Sequence, residues 1–298
     1  MQILCPICHQ PLSHQDHQAT CPNGHCFDYA SSGYLNLFLS QKKAHGDNKE
    51  MIQARSAFLA SGAYGFLRDA LVKEIEAYHP DTFLDLACGE GYYTQKIPAN
   101  QKYGIDLSKD ALKHAARHDS STQYVLASIF DLPFPDACAN LILTCFAPFA
   151  KEEIERLLVP GGHFVFVTPG PDHLIEMKQI LYEKPYRNVI KPLDTSLVLT
   201  DQKVITDTFC VAADLMHALF AMTPYAYKTG IKGKEKLAQA GSFPLTGQFV
   251  IRTYQKQPEN SLRDVTGCSL LVFHFRMWKQ QHCAAAEHHG SASFSGSL

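Results

Sequence analysis

Phe83-Leu84-Asp85-Leu86-Ala87-Cys88-Gly89-Glu90-Gly91-Tyr92-Tyr93-Thr94 reads as an apolar strand ending in an acid, then a turn of small residues, then the start of an amphipathic stretch. Small residues at Ala87, Gly89 and Gly91 let the backbone approach a ligand and tolerate the angles of a strand-to-helix turn. A second acid, Asp106, closes the next apolar run, Lys102-Tyr103-Gly104-Ile105-Asp106-Leu107, at the spacing of a carboxylate that grips ribose hydroxyls. Together they point to a bound nucleoside.

Two cofactor classes use such a loop on a doubly wound sheet. Dinucleotide enzymes need G-x-G-x-x-G, so that a helix terminus meets a pyrophosphate, whereas D-x-[GA]-x-G-x-G places an acid at the strand end, facing a cofactor without phosphates. Asp85 fills that acid position, which favours S-adenosylmethionine. Later blocks keep the order: the run 124–136 with Leu132-Pro133-Phe134, then 139–144, then Leu158-Val159-Pro160-Gly161-Gly162 continuing to Gly170. Several blocks in sequence are far more specific than one loop, and together they resemble the class I methyltransferases, an α/β fold with a Rossmann-like sheet. Strands are expected near 82–87, 102–106, 124–127, 139–145 and 163–168, alternating with helices as in a parallel sheet. The last strands are expected at 204–211 and 248–254 with a helix at 214–220 between them, a helical stretch at 51–78 ahead of the sheet, and a helix and loop within 171–196.

The amino-terminal stretch carries an independent signal: Cys5-Pro6-Ile7-Cys8, twelve residues, then Cys21-Pro22-Asn23-Gly24-His25. Two short loops that each deliver two ligands can surround one tetrahedral zinc, and Pro6, Pro22 and Gly24 suit tight knuckles. The first pair alone would also suit a redox C-x-x-C, but the second pair and the lack of a preceding thioredoxin-like strand argue against that. Cys26 competes with His25 for the fourth position, and His25 is preferred. Four protein ligands leave no open coordination position, so one structural zinc is expected, with a binding energy of roughly 10 to 16 kcal/mol folding a segment too small for its own core.

A zinc module ahead of such a domain resembles the bacterial 23S ribosomal RNA guanine-N1 methyltransferases. The resemblance runs from about Cys5 to about Tyr254 and rests on Cys5-Pro6-x-Cys8-x-x-Pro11-Leu12, Phe27-Asp28, Gly33-Tyr34-Leu35-Asn36-Leu37, Gly46-Asp47-Asn48-Lys49-Glu50-Met51, Ala54-Arg55 and Phe58-Leu59-x-x-Gly62-x-Tyr64. Gly89-Glu90-Gly91-Tyr92-Tyr93, Pro169-Gly170-Pro171-x-His173-Leu174 and Met222-Thr223-Pro224 complete it. It implies S-adenosylmethionine contacts at Tyr64, Gly89, Glu90 and His173, beside Asp85 and Asp106 read from the residues themselves, and a guanine of 23S RNA as substrate, with a loop guanine the simpler target because a paired one would have to be unstacked. Three departures stand out. Ala87 replaces the usual glycine. Ser128 stands where many relatives have the acid that binds the adenine amino group, so backbone near Ser128 and Ile129, with Asp131 close by, is expected to do that work. The stretch beyond Lys256 does not align.

On this reading the chain divides into a zinc-binding module (1–36), a helical connector (37–77), a methyltransferase domain (78–256) and a divergent tail (257–298), whose Gly-, Ser- and Ala-rich end is expected to be partly disordered. The chain has 298 residues, 46% hydrophobic and 19% charged, enough for a full core and one appended module. No apolar run approaches the roughly 20 residues of a membrane span and no signal peptide is recognised, so a cytoplasmic enzyme with no membrane partner is expected. The sequence sets no oligomeric state, although a homodimer is compatible with it. Ten cysteines fit reduced thiols better than a disulfide framework, with Cys88, Cys138, Cys145 and Cys210 read as buried small hydrophobes. A net charge of −2 speaks against an RNA partner; two basic groups, Lys42, Lys43, His45, Lys49 and Arg55, and Lys228, Lys232, Lys234 and Lys236, soften that objection. Phe146-Ala147-Pro148-Phe149 is expected to wall the pocket and stack on a base. Competing readings are a small-molecule (quinone or metabolite) methyltransferase, which leaves the zinc module unexplained, and a non-catalytic RNA- or protein-binding subunit, against which the Asp85-Gly89-Gly91-Asp106 set argues.

Overall fold

The run 82–86 is buried at every position, as a central strand covered on both faces must be. The structure, a computed structural model, describes residues 1–39 and 49–258. Lys42, Lys43, His45, the Lys49 side chain and nearly all of the tail lie outside the described residues.

In chain order the elements are β1 (Ser13–Gln15), β2 (Gln18–Thr20), β3 (Cys26–Asp28), β4 (Leu35–Asn36), α1 (Lys49–Ala60), α2 (Gly65–Glu76), β5 (Thr82–Leu86), β6 (Gln101–Asp106), α3 (Lys109–His118), β7 (Thr122–Leu126), β8 (Ala139–Cys145), α4 (Lys151–Leu157), β9 (Leu158–Pro169), α5 (Ile175–Leu181), β10 (Val198–Phe209), α6 (Ala213–Ala221), α7 (Tyr225–Lys228), α8 (Ile231–Ala240) and β11 (Leu245–Gln255). β1, β2 and β3 form a small antiparallel sheet. The large sheet has eight strands in the order β10-β11-β9-β8-β5-β6-β7-β4. Pairing is parallel from β9 through to β4, and β11 runs antiparallel to both of its neighbours. The order reverses at β5, between β6 on one side and β8 on the other, so a crevice opens at the carboxyl ends of those strands.

Alternation along the strands splits the core into two layers. Phe83, Leu141, Leu143, Val165 and Val167 face α2, α5 and α6. Leu84, Leu86, Ile105, Ile142 and Phe164 face the other way and share one cluster with Ile3, Leu12, Ala19 and Phe27 of the zinc module. The Leu4 N–H donates to the Pro133 carbonyl at 2.7 Å, and the Tyr103 hydroxyl to the Met1 carbonyl at 2.8 Å. Residues Met1–Lys256 accordingly form one compact unit, and residue 36 is the last of β4, a strand of the large sheet.

Differences from the expected elements have local causes. The stretch 51–78 is two helices, because Gly62 takes φ +81° and ends α1 with its N–H on the Leu59 carbonyl; Tyr64 then caps α2 at the turn. β10 begins at Val198 rather than near 204, since Thr200-Asp201-Gln202-Lys203 lie on an edge strand exposed along most of its length and carry no apolar alternation. Cys88 is buried, but Cys138 and Cys145 are only partly so, and Cys210, which follows that edge strand, is exposed. No helix among the described residues is long and apolar enough to cross a membrane.

Candidate cofactor cleft and metal centre

The turn after β5 is held by two acids. Asp85, only 2% exposed, accepts a hydrogen bond from the Thr94 hydroxyl at 2.6 Å. Burial pushes its carboxyl up to about 7, and nearby Asp106 adds to the shift. Asp106 accepts from the Gly89 N–H at 2.8 Å with one oxygen and from the Ser108 N–H at 2.7 Å with the other. Ala87, Gly89 and Gly91 have φ of 61°, 56° and 77°. Ala87 thus takes a left-handed angle that costs a residue with a Cβ roughly 1–2 kcal/mol. At Gly91 no side chain fits, because a Cβ there would lie 2.5 Å from the Tyr124 hydroxyl.

A second group closes the cleft from the α1–α2 turn and the segment after β9. The Gln248 N–H donates to His173 Nδ1 at 3.3 Å, so the ring proton sits on Nε2 and is donated to the Tyr64 hydroxyl, also at 3.3 Å. Burial, aided by Lys178, lowers His173 to about 3, so the imidazole is neutral at any physiological pH. Tyr64 is 3% exposed and packs edge-on to Phe58 and Phe249; burial drives its phenol far above the usual value, keeping it a donor. Glu90 is 3.7 Å from the Arg55 guanidinium and within 3.5 Å of the Ser56 hydroxyl.

These groups border one cavity of about 850 Å³ at the carboxyl ends of β5, β6, β8 and β9. Tyr64, Asp85, Gly89, Glu90, Asp106 and His173 all line it. Ser128 does not; its hydroxyl accepts from the Phe130 N–H, and Ile129 and Phe130 take the lining position instead. Phe146, Ala147 and Pro148 line it as expected, but Phe149 turns into the core, its ring 5.6 Å from that of Phe164. Lys228, Lys232, Lys234 and Lys236 are exposed on α7 and α8 and none borders the cavity. Residues that no motif marked also contribute, among them Thr168, Tyr225 and Tyr227. The hydroxyls of Tyr92, Tyr93 and Thr168 are buried there and have no hydrogen-bond partner among the described residues. A cavity with unsatisfied hydroxyls, acids at two strand ends and aromatic walls fits a polar nucleoside-bearing cofactor.

In the amino-terminal module the ligand atoms of Cys5, Cys8, Cys21 and His25 all lie within 4.8 Å of one another. Cys8 Sγ is 3.6 Å from Cys21 Sγ, and His25 Nδ1 is 3.5 Å from Cys5 Sγ and 3.4 Å from Cys21 Sγ. Four ligands tetrahedral about a zinc with bonds of about 2.3 Å to sulfur would be roughly 3.8 Å apart, so the group fits zinc. The Ile7 N–H reaches Cys5 Sγ at 3.4 Å, the backbone bond of a metal knuckle. Cys26 points away, exposed, donating to the Gln18 side-chain carbonyl at 3.0 Å.

A seven-stranded Rossmann-like sheet with one reversed strand, extended at its edge by β4 and carrying an acid-glycine-acid cleft, defines a class I S-adenosylmethionine-dependent methyltransferase, here joined to a zinc site of three cysteines and one histidine. Residues 84–166 match the methyltransferase-domain family model, and residues 3–45 match the model for the N-terminal zinc ribbon of RlmA. The 23S rRNA (guanine(748)-N(1))-methyltransferase of Streptomyces fradiae is 36% identical over 188 residues, covering 60% of this chain and 67% of that protein. Two proteins provisionally named 23S rRNA (guanine-N(1)-)-methyltransferases are also similar: one from Micromonospora griseorubida, 35% identical over 201 residues (59% and 68% covered), and YxjB of Bacillus subtilis (strain 168), 28% identical over 245 residues (75% and 86% covered). The chain belongs to the RlmA-type 23S rRNA guanine-N1 methyltransferase family.

The metal assignment has a direct check. Purified protein should carry one equivalent of zinc by atomic emission; His25→Ala should lose it and melt earlier in a single transition across 1–256, since module and sheet share a core. Cys26→Ser should keep both metal and melting temperature, and loss of zinc from that variant would contradict the ligand set.

Proposed function

We propose that this enzyme transfers a methyl group from S-adenosylmethionine to N1 of a guanine in a loop of 23S ribosomal RNA. The observation that carries the reading is a cofactor-shaped cleft and a zinc ribbon built into one unit, in a chain of this family. The sulfonium supplies an activated methyl, so the protein's part is to hold the nucleophile in line and exclude competing water. We assign Asp106 to the ribose hydroxyls, Gly89 and Glu90 to the adjoining turn, Tyr64 and His173 to the methionine end, and Asp85 to its ammonium. Neutral His173 positions Tyr64 and takes no proton. With Ser128 outside the cavity, the adenine edge is left to backbone near Ile129.

The zinc is structural, since all four positions are filled by protein. A target within a stem would have to be unstacked at a cost of a few kcal/mol, which favours an unpaired guanine. With net charge −2, phosphate attraction is weak overall, and stacking and shape carry more of the affinity than in a basic RNA-binding protein. A zinc-binding module (1–36), a helical connector (37–77), a methyltransferase domain (78–256) and a divergent tail (257–298) remain the division we propose. Ribosomal RNA as substrate places the work in the cytoplasm.

Incubation with tritiated S-adenosylmethionine, unmodified 23S RNA and a small-metabolite extract, followed by nucleoside mass spectrometry, should give labelled 1-methylguanosine. Label confined to small metabolites would overturn the RNA reading. A second expectation concerns pH. Asp85 meets an ammonium best when ionised, and its carboxyl stands near 7 against an ordinary 3.8. Binding of S-adenosylhomocysteine should therefore release a proton and strengthen by up to about tenfold per pH unit below 7, levelling off above. In the free protein the sign reverses: the raised value contributes stability at low pH that is lost as pH climbs from 3.8 through 7. Asp85→Asn should flatten the calorimetric profile; an unchanged slope would remove Asp85 from the ammonium site.

A further inference from the structure

Sheet order divides the cleft. Asp85, Gly89 and Asp106 lie over β5 and β6, and His173 beyond β9 is assigned to the cofactor, which leaves the end of β8 for the second substrate. There Phe146, 43% exposed and with φ of 60°, offers a ring 6.4 Å from that of Tyr93. Tyr93 is nine-tenths buried and follows the glycine turn directly. Its hydroxyl and that of Thr168 have no hydrogen-bond partner among the described residues, whereas the Tyr64 oxygen accepts from His173. A buried phenol without a partner beside an exposed aromatic face has the make-up of a base site, with one surface to stack on and one donor for the base edge.

We infer that the Tyr93 hydroxyl donates a hydrogen bond to O6 of the target guanine while Phe146 stacks on its ring, so that Tyr93 both selects guanine and stabilises the charge that gathers on O6 as the N1 proton leaves. The inference rests on the methyl-transfer reading above. In the reaction the N1–CH3 bond forms, the CH3–S bond breaks with its electron pair left on sulfur, and the N1 proton passes to solvent. The pair released by that proton is shared between N1 and O6, so a donor at O6 is worth more in the transition state than before it. Burial holds the Tyr93 phenol well above the ordinary range, so it remains protonated and donating. Adenine presents an amino group at the same place and would set donor against donor.

Tyr93→Phe removes one oxygen and keeps the ring. Single-turnover methylation of 23S RNA across about pH 6 to 9 would be compared with wild type, with S-adenosylhomocysteine affinity measured by calorimetry on the same preparations. The expected result is a rate lower by about 10²-fold near pH 6–7, a deficit that narrows as pH rises toward unaided ionisation of N1, and unchanged S-adenosylhomocysteine affinity. Equal rates, a deficit independent of pH, or a matching loss of S-adenosylhomocysteine affinity would overturn it. So would Thr168→Val, if it reproduced the same loss and the same pH pattern. Failure of the wild type to form 1-methylguanosine would overturn the parent reading and this one with it, whereas wild-type activity matched by Tyr93→Phe would overturn this one alone.

Discussion

The Asp106 carboxylate accepts N–H bonds from Gly89, on the turn after β5, and from Ser108, at the head of α3. One side chain at the end of β6 therefore fixes the neighbouring loop and the helix that follows its own strand. Ser108 in turn caps α3, its hydroxyl accepting from the Ala111 N–H at 3.3 Å. A turn with three residues at positive φ needs a restraint to hold it, and these charge-assisted bonds supply one. Asp85 works beside it under a different constraint, since buried it keeps its proton until near neutrality.

Zinc plays the same organising part at the other end of the unit. Cys5 and Cys21 are ligands and also members of the core cluster that contains Leu84 and Phe164. A module with so few residues has no adequate core of its own; this one borrows the underside of the catalytic sheet. The ribbon is thereby rigidly connected to the strands that carry the cleft.

Much of this was legible in the chain. The run 83–94 and Asp106 located the cleft, because glycine turns and strand-end acids are local features with few alternative uses. Cys5, Cys8, Cys21 and His25 were legible from spacing, and Cys26 was rightly set aside, its side chain turned outward on β3. What was missed depended on long-range geometry. Nothing in Phe146-Ala147-Pro148-Phe149 says that the first ring faces the cavity and the last the core; the positive φ at Phe146 makes the difference. The backbone near Ser128 and Ile129 was named for the adenine edge, and only the structure shows that Ile129 lines the cavity while the Ser128 hydroxyl is spent on its own turn. Cys210 looked apolar in context and is exposed because β10 is an edge. Tyr93 and Thr168 lay inside quoted blocks, but nothing in the sequence gave their hydroxyls a role, since an unpaired hydroxyl becomes visible only once all its neighbours are known.

The most direct trial of the account is Asp106→Ala, followed by hydrogen exchange at the Gly89 amide and calorimetric titration with S-adenosylhomocysteine. If Asp106 both shapes the turn and holds the ribose, Gly89 should lose protection and affinity should fall by about tenfold to a hundredfold, with the zinc content unaltered. Rapid exchange at Gly89 together with unchanged affinity would contradict it, because the cofactor would then be held without the clamp on which the cleft is said to depend.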